Sequence, residues 1–142
     1  MLVGHLAVAM AERDGEMTFV QSSDVSSGSS GSHLNTALPP LEKATYANFV
    51  EATVLAVRMD TLIEERGEKP PDVIKIDVEG AEAMVLRGGE RFLSKHKPVI
   101  LMEVHHIRLM FEVQDLLLRW GFQLQLLDQE HSTASRCFLM AH

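Results

Sequence analysis

Cysteine is nearly missing from this 142-residue sequence, in which Cys137 is the only example. A single cysteine forms neither an internal disulfide nor a cysteine-based zinc site, and such a composition fits a reducing cytoplasm. Long apolar runs are missing too, since none approaches the ~20 residues that a membrane-spanning helix needs. The start, MLVGHLAVAMA, has no Lys or Arg before its apolar run, so we interpret it as a buried strand rather than a signal peptide. We therefore expect a cytoplasmic protein without a membrane partner.

Basic residues are also scarce, with 13 Lys and Arg against 20 Asp and Glu and a formal charge of −7. An acidic chain repels phosphate backbones, and the densest basic stretch, Arg91, Lys95 and Lys97, is thin, so we expect no nucleic-acid partner. Hydrophobic residues make up 46% and charged residues 23%, which is typical of a globular protein and excludes a disordered tail, a collagen-like rod and a coiled coil. The length predicts a single domain over residues 1–142.

The sequence pattern changes near residue 52, from an irregular region to a regular succession of strands and helices. Residues 1–52 predict an irregular region in which a turn at Asp14-Gly15 joins an apolar run to a strand at 17–20. The segment SSDVSSGSSGS at 22–32 predicts a mobile loop, because serine and glycine cannot build a core. Residues 53–142 predict a regular β/α core.

Strands and helices alternate in that core. Short apolar or β-branched runs predict strands at 53–57, 72–78, 99–104, 122–127 and 136–141, and helical spacing predicts helices at 61–66, 79–97 and 107–120. Asp60 or Thr61 can cap the first helix, because Thr61 and Glu64 have capping-box spacing. The apolar face of the last helix comprises Ile107, Met110, Phe111, Leu117 and Leu118. This order predicts an α/β fold with a mostly parallel sheet and a terminal antiparallel hairpin.

Polar side chains follow two of the predicted strands. Asp77 and Glu79 come where VIKIDVEG leaves its strand, and Glu103, His105 and His106 come where VILMEVHH leaves the next. Ligands of open α/β sheets bind outside the carboxyl ends of the strands. If the two strands are neighbours, these groups converge and could act as a general base, orient a substrate hydroxyl or bind a metal.

Each of these residues also has a structural interpretation. Asp77 can cap the following helix, and Glu79 suits the positive end of that helix's dipole. Glu103 lies in a buried strand and must be paired, because an unpaired buried carboxylate is costly. His105 and His106 point to opposite sides of an extended chain, so at most one of them faces the site. The set lacks the tight spacing of a metal motif, and we predict no metal.

One family resemblance covers nearly the whole chain. The run DVIKIDVEGAEAMVLRGGERFL, followed by KPVILMEVH, resembles the core signature of the FkbM family of S-adenosylmethionine-dependent methyltransferases. The flanking segments LAVAMAERDGEMTFVQSS, VRMDTLIEE and LLLRWGFQLQLL are similar to the family as well.

The resemblance implies a partial Rossmann-like methyltransferase sheet, S-adenosylmethionine as cofactor, and O-methylation of a hydroxyl on a sugar or small metabolite. It suggests Asp77 and Glu79 for positioning the substrate or the cofactor's methyl group, with Asp77 as the cofactor-binding residue. Glu103 or His105 would serve as the base or its supporting partner.

The sequence departs from the family at its amino-terminal side. The glycine-rich D-x-G-A-N-x-G loop that grips the cofactor has no counterpart, so the chain resembles the carboxyl-terminal two-thirds of such an enzyme. The missing strand would leave the edge of 72–78 open to a second copy, to a separate amino-terminal piece, or to residues 2–10 or 53–57. Two alternatives stay open: a non-catalytic binding or assembly module, and a metal-dependent hydrolase that uses Asp77, Glu79, Glu103 and His105.

Overall fold

The computed structural model describes residues 6–22, 32–34, 49–127 and 137–142, which form a mixed α/β fold with two sheets. The first sheet contains β1 (Ala9–Met10), β2 (Gly15–Ser22), β3 (Ser32–Leu34) and β4 (Phe49–Val57), in the order β1-β4-β2-β3. Only β1 and β4 are parallel in this sheet. The predicted loop at 22–32 lies outside the described residues except for its end serines, which belong to β2 and β3.

The second sheet contains β5 (Val73–Ile76), β6 (Val99–Val104), β7 (Leu124–Leu126) and β8 (Cys137–Ala141), in the order β5-β6-β8-β7. Strands β5 and β6 are parallel, whereas β8 runs antiparallel to both β6 and β7. The antiparallel hairpin at the end of the chain is therefore confirmed.

The mostly parallel single sheet is wrong for the described residues, because four of the six strand pairings are antiparallel. The reason lies in β4 and β8. Strand β4 pairs with β2 along its whole length instead of joining β5, and β8 inserts between β6 and β7 in the reverse direction. Alternation of strands and helices does not specify either pairing.

Two short helices replace the single helix predicted over 79–97. Helix α1 spans Glu82–Arg87 and helix α2 spans Glu90–His96, with a break at Gly88-Gly89. The backbone of Ala11 lies against this break, so that a Cβ on Gly88 would sit 1.9 Å from the Ala11 carbonyl oxygen. Glycine is required there by close approach of two backbones.

A buried aspartate caps α2 from outside the helix. Gly89 precedes α2 and has no side chain to cap it, but the Asp60 carboxylate accepts the backbone N–H groups of Arg91 and Phe92 at 3.2 and 2.9 Å. These are the second and third helical residues, whose N–H groups lack partners within the helix. Asp60 thereby joins α2 to the segment after β4.

The helix predicted over 61–66 is a π-helical turn at Thr61–Glu65, in which Arg66 N–H donates to the Thr61 carbonyl at 2.9 Å. The predicted capping box between Thr61 and Glu64 is wrong. The Thr61 hydroxyl instead donates to Asp14 at 2.7 Å, which connects this turn to the loop between β1 and β2. A tertiary partner has replaced the local one.

Helix α3 spans Ile107–Arg119 and packs on the second sheet with Val113 and Leu117 fully buried and Met110 partly buried. The predicted apolar face was right for Met110 and Leu117. It was wrong for three residues, which are exposed: Ile107, Phe111 and Leu118. Hydrophobic residues surround much of this helix, so the sequence pattern alone does not define which side meets the sheet.

The main core lies between the second sheet and helices α1 to α3. Its fully buried side chains include Leu86, Phe92, Ile100, Leu117 and Leu139. Strand β6 faces this core with alternate residues, while Leu101 on its other face is exposed, so the strand is not covered on both sides as its apolar sequence predicted. None of the helices in the described ranges has the length and apolarity needed to cross a membrane.

Candidate functional site

The carboxyl ends of β5 and β6 lie side by side, because the two strands are parallel with Ile76 opposite Met102. Asp77 follows β5 directly, Glu103 lies near the end of β6, and His105 follows β6. The prediction that the polar residues of the two strand ends converge is therefore confirmed in its geometry. All four predicted site residues, Asp77, Glu79, Glu103 and His105, belong to one cluster.

The imidazole of His105 lies at the centre of this cluster. Its Nε2 atom is 3.3 Å from Oε2 of Glu79, 3.3 Å from Oε1 of Glu103 and 3.8 Å from Oδ1 of Asp77. Nε2 is buried and makes no hydrogen bond within the described part of the chain. Three carboxylates thus surround one ring nitrogen without a hydrogen bond to it.

The other ring nitrogen is held by Glu82, a residue that the sequence reasoning missed. Oε1 of Glu82 lies 2.8 Å from Nδ1 of His105 and also accepts the backbone N–H of Gly80 at 3.0 Å. Because a carboxylate accepts hydrogen bonds, Nδ1 donates to Glu82, and Nε2 is directed towards the other three carboxylates. The available signal was a glutamate between Ala81 and Ala83 in an otherwise apolar helix start, where a buried position requires a partner.

Glu79 reaches the cluster through a strained turn. It has a φ of 48°, in the left-handed region that non-glycine residues seldom adopt, and Gly80 follows with a φ of 97°. Glu79 was expected in the first turn of a helix, but α1 begins only at Glu82. The turn directs the Glu79 carboxylate back towards His105 instead of along the helix axis.

Asp77 does not cap the following helix, whereas His106 caps α3. Oδ2 of Asp77 forms an ion pair with Lys75 at 3.0 Å, and the cap expected from Asp77 is not made; Glu82 accepts the nearby Gly80 N–H instead. Nδ1 of His106 accepts the N–H of Arg108 at 3.1 Å and caps α3. Of the two histidines, only His105 faces the cluster.

Exposure rises steadily from the base of the cluster to its rim. The side chain of Glu82 is 0% exposed, His105 10%, Glu103 17%, Asp77 35% and Glu79 40%. Asp77 and Glu79 therefore form the solvent-facing rim of the cluster, and Nε2 of His105 is buried below them. The cluster thus has a buried inner part, formed by Glu82 and His105, and a more exposed acidic rim.

A depression lies on the first sheet. It is an open groove of about 330 Å³ lined by Ala7, Val8, Ala9, Phe19 and Val54. All five lining side chains are apolar, so the groove offers no acid, base or nucleophile.

Comparisons with solved structures identify two similar methyltransferases. A crystal structure of methyltransferase FkbM from Methylobacillus flagellatus KT is 26% identical over 63% of this chain and 24% of that chain, with a TM-score of 0.49. Precorrin-6y C5,15-methyltransferase from Geobacter metallireducens GS-15 is 14% identical over 61% of this chain and 51% of that chain, with a TM-score of 0.41. This chain thus matches about a quarter of the length of the first and about half of the second.

The sequence has no significant match among curated proteins. The profile of the methyltransferase FkbM domain, in contrast, matches residues 3–124, which include β5, β6 and the complete His105 cluster. The match covers most of the sequence, and the chain belongs to the FkbM methyltransferase family.

Proposed function

We propose that this chain carries the acceptor side of an S-adenosylmethionine-dependent O-methyltransferase that acts on a hydroxyl of a sugar or small metabolite. The observation that carries the proposal is Nε2 of His105, which is buried, lacks a hydrogen bond to the described residues and lies at the carboxyl ends of two parallel strands. Membership of the FkbM family supports methyl transfer as the reaction.

His105 is suited to remove the proton of the acceptor hydroxyl. Glu82 orients the ring through Nδ1, which leaves Nε2 as the proton acceptor. Glu103, the next least exposed carboxylate, lies 3.3 Å from Nε2 and would stabilise the imidazolium that forms. Asp77 and Glu79 at the rim would accept hydrogen bonds from other hydroxyls of the acceptor and so align it.

The cluster also fits the charge of the cofactor. S-adenosylmethionine supplies an electrophilic methyl group on a positively charged sulfonium. The accessible carboxylate of Asp77, at the end of edge strand β5, is a suitable partner for a cationic or hydroxyl group of that cofactor. We therefore propose Asp77 as the residue that faces the cofactor.

A Rossmann-like sheet could be completed at the open edge of β5. Among the described strands β5 pairs only with β6, and Val73 on β5 is 57% exposed. An apolar edge strand of this kind pairs readily with another chain. We propose that a second copy of this chain covers it; a complementing amino-terminal piece is the alternative source of the strand.

The test is calorimetric titration of the purified chain with S-adenosylhomocysteine, which cannot react. We expect micromolar binding that Asp77→Asn weakens. Asp72→Asn, which changes an exposed aspartate before β5, should leave the binding unchanged.

The second test measures turnover. With radiolabelled cofactor and a panel of sugar hydroxyls as acceptors, we expect His105→Asn to lower kcat by about 100-fold or more. His106→Asn, which keeps a capping acceptor, should retain activity.

A non-catalytic binding or assembly module is the second candidate, favoured by the open β5 edge. It predicts no heat with S-adenosylhomocysteine from a chain that circular dichroism shows to be folded. It also predicts that His105→Asn changes neither the folding nor the oligomeric state of the chain. That pair of results would contradict the methyltransferase proposal.

A further inference from the structure

The geometry points to a divalent transition-metal site in which Nε2 of His105 and carboxylate oxygens of Asp77 and Glu103 are the ligands. We propose that Mn²⁺ or Zn²⁺ binds there. The ligand atoms of these three residues lie within 4.8 Å of one another. Sequence spacing predicted no metal, because the ligands come from two strand ends that only the fold brings together.

The distances around Nε2 match those between ligands of one small cation. Two ligand atoms on a tetrahedral ion lie about 3.4 Å apart when each bond is about 2.1 Å. Nε2 is 3.3 Å from Glu103 Oε1 and 3.8 Å from Asp77 Oδ1. Oε2 of Glu79 also lies 3.3 Å from Nε2.

His105 itself supplies the independent argument for a cation. Its side chain is nine-tenths buried, and Nε2 has no hydrogen-bond partner in the described ranges. The three carboxylates around Nε2 concentrate negative charge there, which favours a cation beside this atom. Lys75 bonds Oδ2 of Asp77, whereas the oxygen of Asp77 nearest Nε2 is Oδ1.

Glu82 provides the supporting contact that metal-binding histidines usually have. A histidine ligand typically donates its other ring N–H to a carboxylate, which fixes its tautomer and orientation. Glu82 fulfils this role at 2.8 Å, and Gly80 N–H in turn fixes the same oxygen of Glu82. The partly exposed Asp77 provides a path by which an ion can enter.

The mixed donor set selects the class of metal. One imidazole and two or three carboxylates suit Mn²⁺, Fe²⁺ or Zn²⁺, whereas Mg²⁺ and Ca²⁺ prefer oxygen ligands alone. The inference is tested apart from the proposed methyl transfer, because binding is measured without cofactor or acceptor. A failure here would leave that proposal intact, whereas an ion bound to Nε2 would occupy the lone pair that His105 needs to act as the base.

The experiment treats the full chain with a chelator, removes the chelator and titrates Mn²⁺, following the loss of the free-ion paramagnetic resonance signal. We expect one ion per chain and a pulsed-resonance coupling between bound Mn²⁺ and an imidazole nitrogen. His105→Asn, which keeps a donor for Glu82, should abolish the nitrogen coupling. Asp77→Asn should weaken binding about tenfold or more, whereas Asp72→Asn and His106→Asn should leave it unchanged.

Three results would overturn the site. In the first, neither Mn²⁺ nor Zn²⁺ shows saturable binding up to millimolar concentration. In the second, Mn²⁺ binds but shows no coupling to a nitrogen. In the third, Asp77→Asn binds the ion with the same affinity as the unsubstituted chain. Asp77 lies at the exposed rim, so its substitution keeps the test decisive if His105→Asn fails to fold. Calorimetry with Zn²⁺ provides the same comparison for the second metal.

Discussion

The carboxylate of Glu82 is entirely buried and lies 2.8 Å from Nδ1 of His105. This contact joins the first turn of α1 to the end of β6, which are 23 residues apart in the chain. It sets the direction of the imidazole before any ligand arrives. Both the proposed proton transfer and the proposed metal site depend on it.

Removing Glu82 should therefore destabilise the fold. Glu82→Ala leaves the Gly80 N–H and His105 Nδ1 without their partner, and we expect the free energy of unfolding to fall by about 3 kcal/mol. Glu82→Gln keeps a carbonyl acceptor and should cost clearly less. Urea denaturation measures both, with Glu90→Ala on the exposed start of α2 as the control. Equal stability of Glu82→Ala and Glu90→Ala would show that the buried contact contributes nothing.

The break between α1 and α2 predicts an asymmetry between two adjacent glycines. A Cβ on Gly88 would collide with the Ala11 carbonyl, which is backbone, whereas a Cβ on Gly89 would meet chiefly the flexible end of Met59. We expect Gly88→Ala to lower the free energy of unfolding by about 2–3 kcal/mol and Gly89→Ala by less, because a methionine side chain can shift. Thermal and urea unfolding measure the difference. A more stable Gly88→Ala variant would contradict the close approach of Ala11.

Asp14 predicts a dependence of stability on pH. Hydrogen bonds from the Arg58 backbone N–H and then the Thr61 hydroxyl lower the pKa of this carboxyl from 3.8 to about 2. A depressed pKa adds stability that is complete above the unfolded value of 3.8 and is lost as the pH falls towards 2. Asp14→Asn should thus be less stable than the unsubstituted chain at pH 6, and the gap should narrow below pH 4.

Urea midpoints between pH 3 and pH 7 measure this gap. Asp72→Asn controls for the loss of one surface negative charge. A gap that stays constant over the whole range would mean that the Asp14 carboxylate is not preferentially stabilised in the folded protein.

The open edge of β5 predicts self-association through one side of the second sheet. Val73→Lys places a charge on this edge and should shift the chain towards monomer in analytical ultracentrifugation. Leu126→Lys on β7, at the opposite edge of the same sheet, is the matched control and should leave the oligomeric state unchanged. An unsubstituted chain that is monomeric at high micromolar concentration would rule out a second copy on β5.

Much of the local structure could be predicted from the sequence. The β-branched run before Asp77, the apolar run that ends in Glu103 and the 3.6-residue periodicity after His106 each produce the predicted type of element. The signature around these elements also identified the family. Such patterns are local, and a strand or helix depends first on the residues within it.

The candidate site was predictable only in part. Asp77, Glu79, Glu103 and His105 stand at strand ends, where the sequence order alone predicts convergence. Glu82 was missed because its importance comes from a partner far along the chain. The left-handed turn at Glu79 was missed for a similar reason, since the sequence favours a helix start there.

By itself, the sequence determined the family, the order of most elements and the residues able to carry chemistry. Tertiary structure alone decided that β4 pairs with β2 in the first sheet, and that the helix predicted over 79–97 is interrupted at Gly88, where the Ala11 backbone lies against it. It also decided that His105 rather than His106 belongs to the cluster. The physical reason is the same in each case. Backbone pairing, close approach and burial depend on groups distant in the chain, whereas propensity and periodicity are properties of neighbours.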